Sequence, residues 1–161
     1  MSEQGKTVAG ASRSGWEADV SRRVVIRYAK GRLLQGYLCA GEDATVWMGD
    51  SSTLSVETVE GRHVDVQPSE IKAIFFVRSF EGSPDYSEFK VFAARPNGKG
   101  VWVRLHFLDG EILEGVAPNC LSTYSLPILY ITPPDPASNN EAVLVSKRFL
   151  KEMQVLGLAS D

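Results

Sequence analysis

Val101-Trp102-Val103-Arg104-Leu105-His106-Phe107-Leu108-Asp109-Gly110-Glu111-Ile112-Leu113-Glu114-Gly115 is the stretch from which the architecture of this chain can be read. Val101, Val103, Leu105 and Phe107 alternate with Trp102, Arg104 and His106, the period of two of a strand with one buried face. Asp109-Gly110 predicts a two-residue turn with positive φ at both positions, the signature of a tight hairpin. Ile112 and Leu113 carry the return strand. Gly115 interrupts it, as a bulge or sharp bend in a small barrel requires.

The same pattern occurs once more upstream. Gly31 and Gly36 stand 79 positions before Gly110 and Gly115, and Val24, Ile26, Tyr28 and Leu34 fall on Val103, Leu105, Phe107 and Leu113. The same offset carries Val64, Val66, Ile71, Lys72, Ile74 and Phe76 onto Val143, Val145, Leu150, Lys151, Met153 and Val155. One displacement that aligns apolar positions at both ends of a unit reads as an internal duplication, with units at 22–79 and 100–157. Each unit runs hairpin, variable middle, short strand, helical kink, last strand. The kinks are Gln67-Pro68-Ser69-Glu70 and Ser146-Lys147-Arg148-Phe149. Pro68 has a fixed φ and no N–H, which suits a single 3₁₀ turn between strands.

Residues 1–21, rich in Ser, Gly and Ala and without periodicity, read as a disordered tail. Thr45 to Met48 and Leu54 to Val59 read as strands of the first unit's middle. Its last strand buries Ile71, Ala73, Phe75 and Val77 or the alternate set, since a slip of one residue exchanges the faces. Residues 80–99 join the units. There Ser83-Pro84-Asp85 is a helix-start signal, and Tyr86, Phe89 and Phe92 follow at intervals of three. This places a short amphipathic segment over the seam between units, or an aromatic docking strip. In the second unit Pro133-Pro134-Asp135-Pro136 and Ser138-Asn139-Asn140 make a stiff loop, either a rigid connection or a binding loop held by a rigid scaffold.

Several function classes are disfavoured by composition. The chain of 161 residues is 43% apolar and 23% charged, with a net charge of −3. The first unit carries 8 Lys/Arg against 7 Asp/Glu and the second 4 against 6, which is not the basic face of a phosphate-binding protein. No apolar run approaches the ~20 residues of a membrane span, and no basic-then-apolar leader is present, so a cytoplasmic protein is expected. Cys39 and Cys120 occupy nearly equivalent places beyond each hairpin, but in the cytosol a bond between them would be exceptional. His63 and His106 have no ligand at metal spacing, and no nucleophile elbow or phosphate loop occurs. Asp109, Glu111 and Glu114 read as solvated carboxylates on an exposed turn. No cofactor and no enzymatic activity are expected.

The hairpin from Val103 to Gly115 resembles the first Sm motif, in which alternating apolar residues lead into Asp-Gly, an apolar residue and a glycine. The upstream copy matches with Lys30 in place of the aspartate. Ile74-Phe75-Phe76-Val77-Arg78-Ser79 resembles the second Sm motif, with Ser79 where that motif has glycine. The resemblance implies two tandem Sm/SH3-like small barrels, hence an all-β protein, and leaves the oligomeric state open. It does not extend to the RNA-reading Asp and Asn, whose nearest positions hold Glu42 and Val46, and Leu121 and Ser125. The second unit, through Pro134-Asp135-Pro136-Ala137-Ser138-Asn139-Asn140-Glu141, also resembles a poorly characterised bacterial domain associated with regulatory and signalling proteins.

Together these features predict a non-enzymatic protein-binding or adaptor module in a bacterial regulatory pathway. Its binding residues are Pro134, Asp135, Ser138, Asn139 and Asn140 of the loop and Tyr86 and Phe89 of the linker. An alternative is a nucleic-acid-binding Sm-like protein using Arg23, Arg27, Trp102, Arg104 and His106 for stacking and phosphate contacts. A further alternative is a cyclic-dinucleotide sensor of the PilZ type. Arg23 and Arg27 have its arginine spacing and Asp50-Ser51-Ser52 begins its second motif, but Ser55 stands where glycine is required.

Overall fold

In a computed structural model of the chain, residues 23–39, 53–81, 90–134 and 137–160 are described. They form β1 (Arg23–Tyr28), β2 (Leu33–Leu38), β3 (Leu54–Thr58), β4 (His63–Val66), β5 (Ile71–Val77), β6 (Val101–Phe107), β7 (Ile112–Ala117), β8 (Ile128–Ile131), β9 (Asn140–Ser146) and β10 (Leu150–Leu158). One short helix, α1 (Leu121–Ser125), was not foreseen and lies in the second unit's middle. Single 3₁₀ turns at Pro68–Glu70 and Lys147–Phe149 stand at the two expected kinks. The expected tail, the strand at Thr45 to Met48 and the helix start at Ser83 fall outside the described residues. No helix among the described residues is long and apolar enough to cross a membrane. The protein is all-β, and its strand pairings are antiparallel.

The hairpin turns differ from the two-residue form. The N–H of Gly110 donates to the carbonyl of Phe107, that of Phe107 donates to Glu111, and only Gly110 has positive φ (90°). The loop is therefore Leu108-Asp109-Gly110, a tight turn followed by a glycine in the left-handed region. This three-residue form spares Asp109 the cost of positive φ. The upstream hairpin at Gly31 (φ 88°) and a third at Gly61 (φ 81°) repeat it.

The 79-residue displacement recurs in the strand register. Val24↔Gly36 in β1–β2 becomes Val103↔Gly115 in β6–β7, and Ile26↔Ile74 in β1–β5 becomes Leu105↔Met153 in β6–β10. The irregularity after Arg27 in β1–β5 reappears beside His106 in β6–β10. Gly36 and Gly115 serve the same purpose in each half, admitting a neighbouring strand at close range. A Cβ on Gly36 would lie 2.4 Å from the Glu57 carbonyl oxygen, and one on Gly115 would lie 2.8 Å from Ile131 Cβ.

Strand order in the larger sheet is β4-β3-β2-β1-β5-β9-β8, and in the smaller β10-β6-β7. The bridge Val116↔Thr132 joins them between β7 and β8. Among the described residues, neither half closes into a barrel by its own hydrogen bonds. Instead the ladder passes from the first half to the second where β5 pairs β9, from Ala73↔Val145 to Val77↔Asn140. This makes both alternations of β5 buried, resolving the choice of faces that the sequence left open. Ile71, Ile74 and Phe76 pack with Val24, Ile26, Leu54 and Val56, together with Ala142 and Leu144 from β9. Ala73 and Phe75 pack on the other side with Val103, Leu105, Leu129 and Ile131, together with Val143 and Val145. Each core thus contains residues lent by the other half.

Gly115→Ala is expected to destabilise the fold by about 2–3 kcal/mol through overpacking against Ile131 and the Thr132 carbonyl. Gly31→Ala, which meets no atom within 4 Å, is expected to lose only about 1 kcal/mol to the left-handed backbone. Urea unfolding of both variants measures the difference.

Candidate functional site

Of the second hairpin's carboxylates, expected to be solvated, Asp109 is exposed but Glu111 is half-buried and Glu114 fully buried. Lys72, at the start of β5, is buried and donates to Asp109 Oδ2 at 2.6 Å and to Glu111 Oε2, with its ammonium 4.5 Å from the centroid of the Phe107 ring. Arg27 Nη1 lies 3.0 Å from Glu111 Oε1 with its guanidinium over Phe75, and Lys90 Nζ lies 3.4 Å from the same oxygen. The cluster clamps the second hairpin to the first half beside the β5–β9 seam. Burial raises the Glu111 carboxyl, but the Lys72 hydrogen bond and the charges of Arg27, Lys72 and Lys90 outweigh it and hold it below the ordinary carboxylate range. Asp109 is lowered by the Lys72 hydrogen bond and the Glu111 N–H.

Glu114 is fully buried. Its Oε1 accepts from Arg104 Nε at 2.9 Å and Nη2 at 2.7 Å, and its Oε2 accepts from Trp102 Nε1 at 3.1 Å and the Phe92 N–H at 2.8 Å. Its own N–H donates to the Lys90 carbonyl, so this carboxylate fastens the linker residues 90–92 onto β6 and β7. Burial opposes ionisation, but the Phe92 N–H, Arg104 and Trp102 prevail and the net shift is downward. The sequence alone pointed elsewhere. The two-residue turn expected at Asp109-Gly110 would set Arg104 opposite Gly115, and the three-residue loop centred on Asp109 sets it opposite Glu114 instead.

These contacts decide where the expected site residues go. Trp102 and Arg104 are committed to Glu114, and His106 Nε2 stands 3.4 Å from Gln154 Oε1. Arg23 Nη1 donates to the Arg78 carbonyl at 3.2 Å while Arg27 joins the ion cluster, so the two arginines serve different partners. Ser138 is buried, and its Oγ accepts from the Asn140 N–H. Asn139 accepts from the Ser79 N–H at 3.0 Å and donates to the Ser79 carbonyl at 2.8 Å, mimicking one more rung of the β5–β9 ladder. Asn140 begins β9, and Pro134 is half-buried. The loop's inner residues thus extend the seam between halves. Asp135, Tyr86 and Phe89 fall outside the described residues.

Two clefts flank the seam. One of about 160 Å³ is lined by Arg27, Lys90, Glu111, Pro133, Asn139 and Asn140 among others. The other, about 430 Å³, lies among Tyr28, Lys30, Arg32, Ser69, Glu70 and Phe149, with Arg32 stacked 4.2 Å from the Tyr28 ring centroid. No three His, Cys, Asp or Glu side chains among the described residues gather as a metal cluster. Both cysteines are free thiols. Cys39 Sγ lies 3.8 Å from His63 Nδ1, a proximity that chain spacing did not suggest. Cys120 is exposed, and hydrogen bonding with the Ser122 and Thr123 side chains brings its thiol down to about 7.

Exposed apolar side chains stand at the hairpin ends (Leu33, Val59, Leu108 and Ile112), in the linker (Val91) and on two further faces. Leu121, Tyr124 and Tyr130 stand on α1 and β8, and Val155 and Leu158 stand on β10. β10 and β4 end the ladder, each with a strand on one side only among the described residues.

The chain belongs to DUF6982, a family of unknown function, whose pattern matches residues 20–157. The matched span takes in both repeats. No curated protein and no solved structure matches the chain.

Glu114→Gln is expected to cost about 2 kcal/mol at neutral pH, the scale of a charged hydrogen bond lost to Arg104. Because the folded-state pKa of Glu114 is depressed, its stabilisation is full above its ordinary value of 4.5 and disappears as pH falls through the folded value. Unfolding curves of wild type and variant should therefore converge as the pH falls below 4.5 and through the folded-state value. For Cys120, the rate of alkylation by iodoacetamide should rise with pH around a midpoint near 7.

Proposed function

We propose that the chain is a non-enzymatic protein-binding or adaptor module, built of two tandem Sm/SH3-like units, that takes up an extended segment of a partner along the open edge of β10. The unit reading is supported by the repeated register, by the 3₁₀ turn before the last strand of each half, and by the first half's order β4-β3-β2-β1-β5. The observation that carries the binding reading is β10 itself. It is nine residues long, pairs only with β6 among the described residues, and presents Val155 and Leu158 at 54% exposure each. An unpaired strand edge with apolar side chains is a ready acceptor for another strand, main-chain hydrogen bonds supplying affinity and side chains selectivity. The resemblance of the second unit to a domain of bacterial regulatory proteins suggests that the partner belongs to such a pathway.

The nucleic-acid and cyclic-dinucleotide readings lose support from the same geometry. Trp102 and Arg104 are held by Glu114, and Arg23 and Arg27 diverge to separate partners.

The test is affinity capture with wild type and with Val155→Lys/Leu158→Lys, in the presence and absence of nuclease. Both positions are exposed, so the variant's stability should stay within about 0.5 kcal/mol of wild type. Loss of a nuclease-resistant protein partner from the variant, together with slowed hydrogen exchange of β10 amides in the wild-type complex, is the expected result. Undiminished capture by the variant would remove β10 as the site. Material that disappears with nuclease would favour the nucleic-acid reading.

A further inference from the structure

The β5–β9 seam joins the last strand of one repeat to the fourth strand of the next, and the two strands with an open side among the described residues are the equivalent pair. In the 79-residue register β10 stands for β5 and β4 for β9. A second copy of the chain could therefore extend the ladder by laying its β4 on the first copy's β10. What such a junction would contain can be read residue by residue from the closed one.

At the closed seam Ala73 and Phe75 of β5 enter the second core, and Ala142 and Leu144 of β9 enter the first. Their equivalents at the open edges are Glu152 and Gln154 on β10 and His63 and Asp65 on β4, all polar. Glu152, His63 and Asp65 are exposed, and Asp65 accepts a 2.8 Å hydrogen bond from Ser55. Copy-to-copy pairing would push these polar and charged groups out of water into apolar cores, at a desolvation cost that the alanine, phenylalanine and leucine of the closed seam do not incur. The ionic clamp changes in the same sense. Arg27 and Lys72 meet Asp109 and Glu111 at the closed seam. At a junction between copies His106 and Lys151 would meet Lys30 and Arg32, with no carboxylate in those positions. Apolar residues become polar and an acid–base clamp becomes base against base, two independent changes with one consequence.

We infer that the open β4 and β10 edges are coded to reject a second copy of this chain, so that the pair of repeats ends its own ladder and remains monomeric. Polar and charged side chains on edge strands are a general means of blocking edge-to-edge association. Here they fall at the positions that are apolar where association is wanted. The inference does not rest on β10 having a partner of another kind.

The test restores the closed-seam residues to the open edges. One variant carries Lys30→Asp, Arg32→Glu, His63→Ala and Asp65→Leu, and a second carries Glu152→Ala and Gln154→Phe. All but Gln154 are exposed positions, and circular dichroism and thermal melts confirm that each variant folds. By sedimentation equilibrium the wild type is expected at the monomer mass of 17.6 kDa. An equimolar mixture of the two variants is expected to double that mass, with cysteine cross-links joining β10 of one chain to β4 of the other. All six substitutions in one chain should give species larger than a dimer. Wild-type oligomers cross-linked between β10 and β4, or folded variants that stay monomeric when mixed, would overturn the inference.

Discussion

The pairing of β5 with β9 is the constraint on which the rest depends. Each repeat alone is near sixty residues, a size at which a core is marginal. Neither repeat completes its core from its own residues. Ala142 and Leu144 fill the first, Ala73 and Phe75 the second, and the two strands that carry them are hydrogen-bonded to each other. Unfolding either half would expose apolar surface in both, so the halves are expected to melt together. The same arrangement explains why β5 is the most apolar strand of the first repeat. It is an inner wall of two cores, where most other strands serve one.

Around this seam the charged groups form a second layer of specification. Lys72, Arg27, Lys90, Asp109 and Glu111 bind the second hairpin to the first half, and Glu114 ties down residues 90–92 through Phe92, Trp102 and Arg104. Buried ionic groups of this kind contribute less to net stability than to selecting one arrangement, because their gain is offset by desolvation. In this chain the selection is visible by comparison of the repeats. The hairpin tip carrying Asp109 and Glu111 docks on a lysine and an arginine. Its copy, carrying Lys30 and Arg32, lines an open cleft. Duplication supplied two equivalent surfaces, and divergence left one joined and one open.

Much of this was legible in advance because it is local. The alternation of Val101, Val103, Leu105 and Phe107, the two glycines of each hairpin and the 79-residue displacement are properties of neighbouring residues or of two copies of one pattern. The 3₁₀ turn at Pro68 follows from the ring's fixed φ. Less legible were contacts that depend on which element lies opposite. Glu114 belongs to a hairpin that looks solvated, yet residues 90–92 cover it. Asn139 looks like a residue of an exposed loop, yet it pairs with Ser79, 60 positions earlier. The turn type was also misjudged, since Asp-Gly satisfies both the two-residue and the three-residue loop and the choice rests with the strand ends.

By itself, the sequence determined the all-β class, the two repeated units, and their hairpins and kinks. Period-two patterning, glycine at strained backbone and proline at a turn act through bonds and sterics within a few residues. Only the tertiary structure decided that the units share strands, that the hairpin carboxylates close an ionic clamp, and which two edges stay open among the described residues. Those outcomes are set by burial and by charges meeting across long separations in the chain. A residue's local pattern does not reveal what will be packed against it.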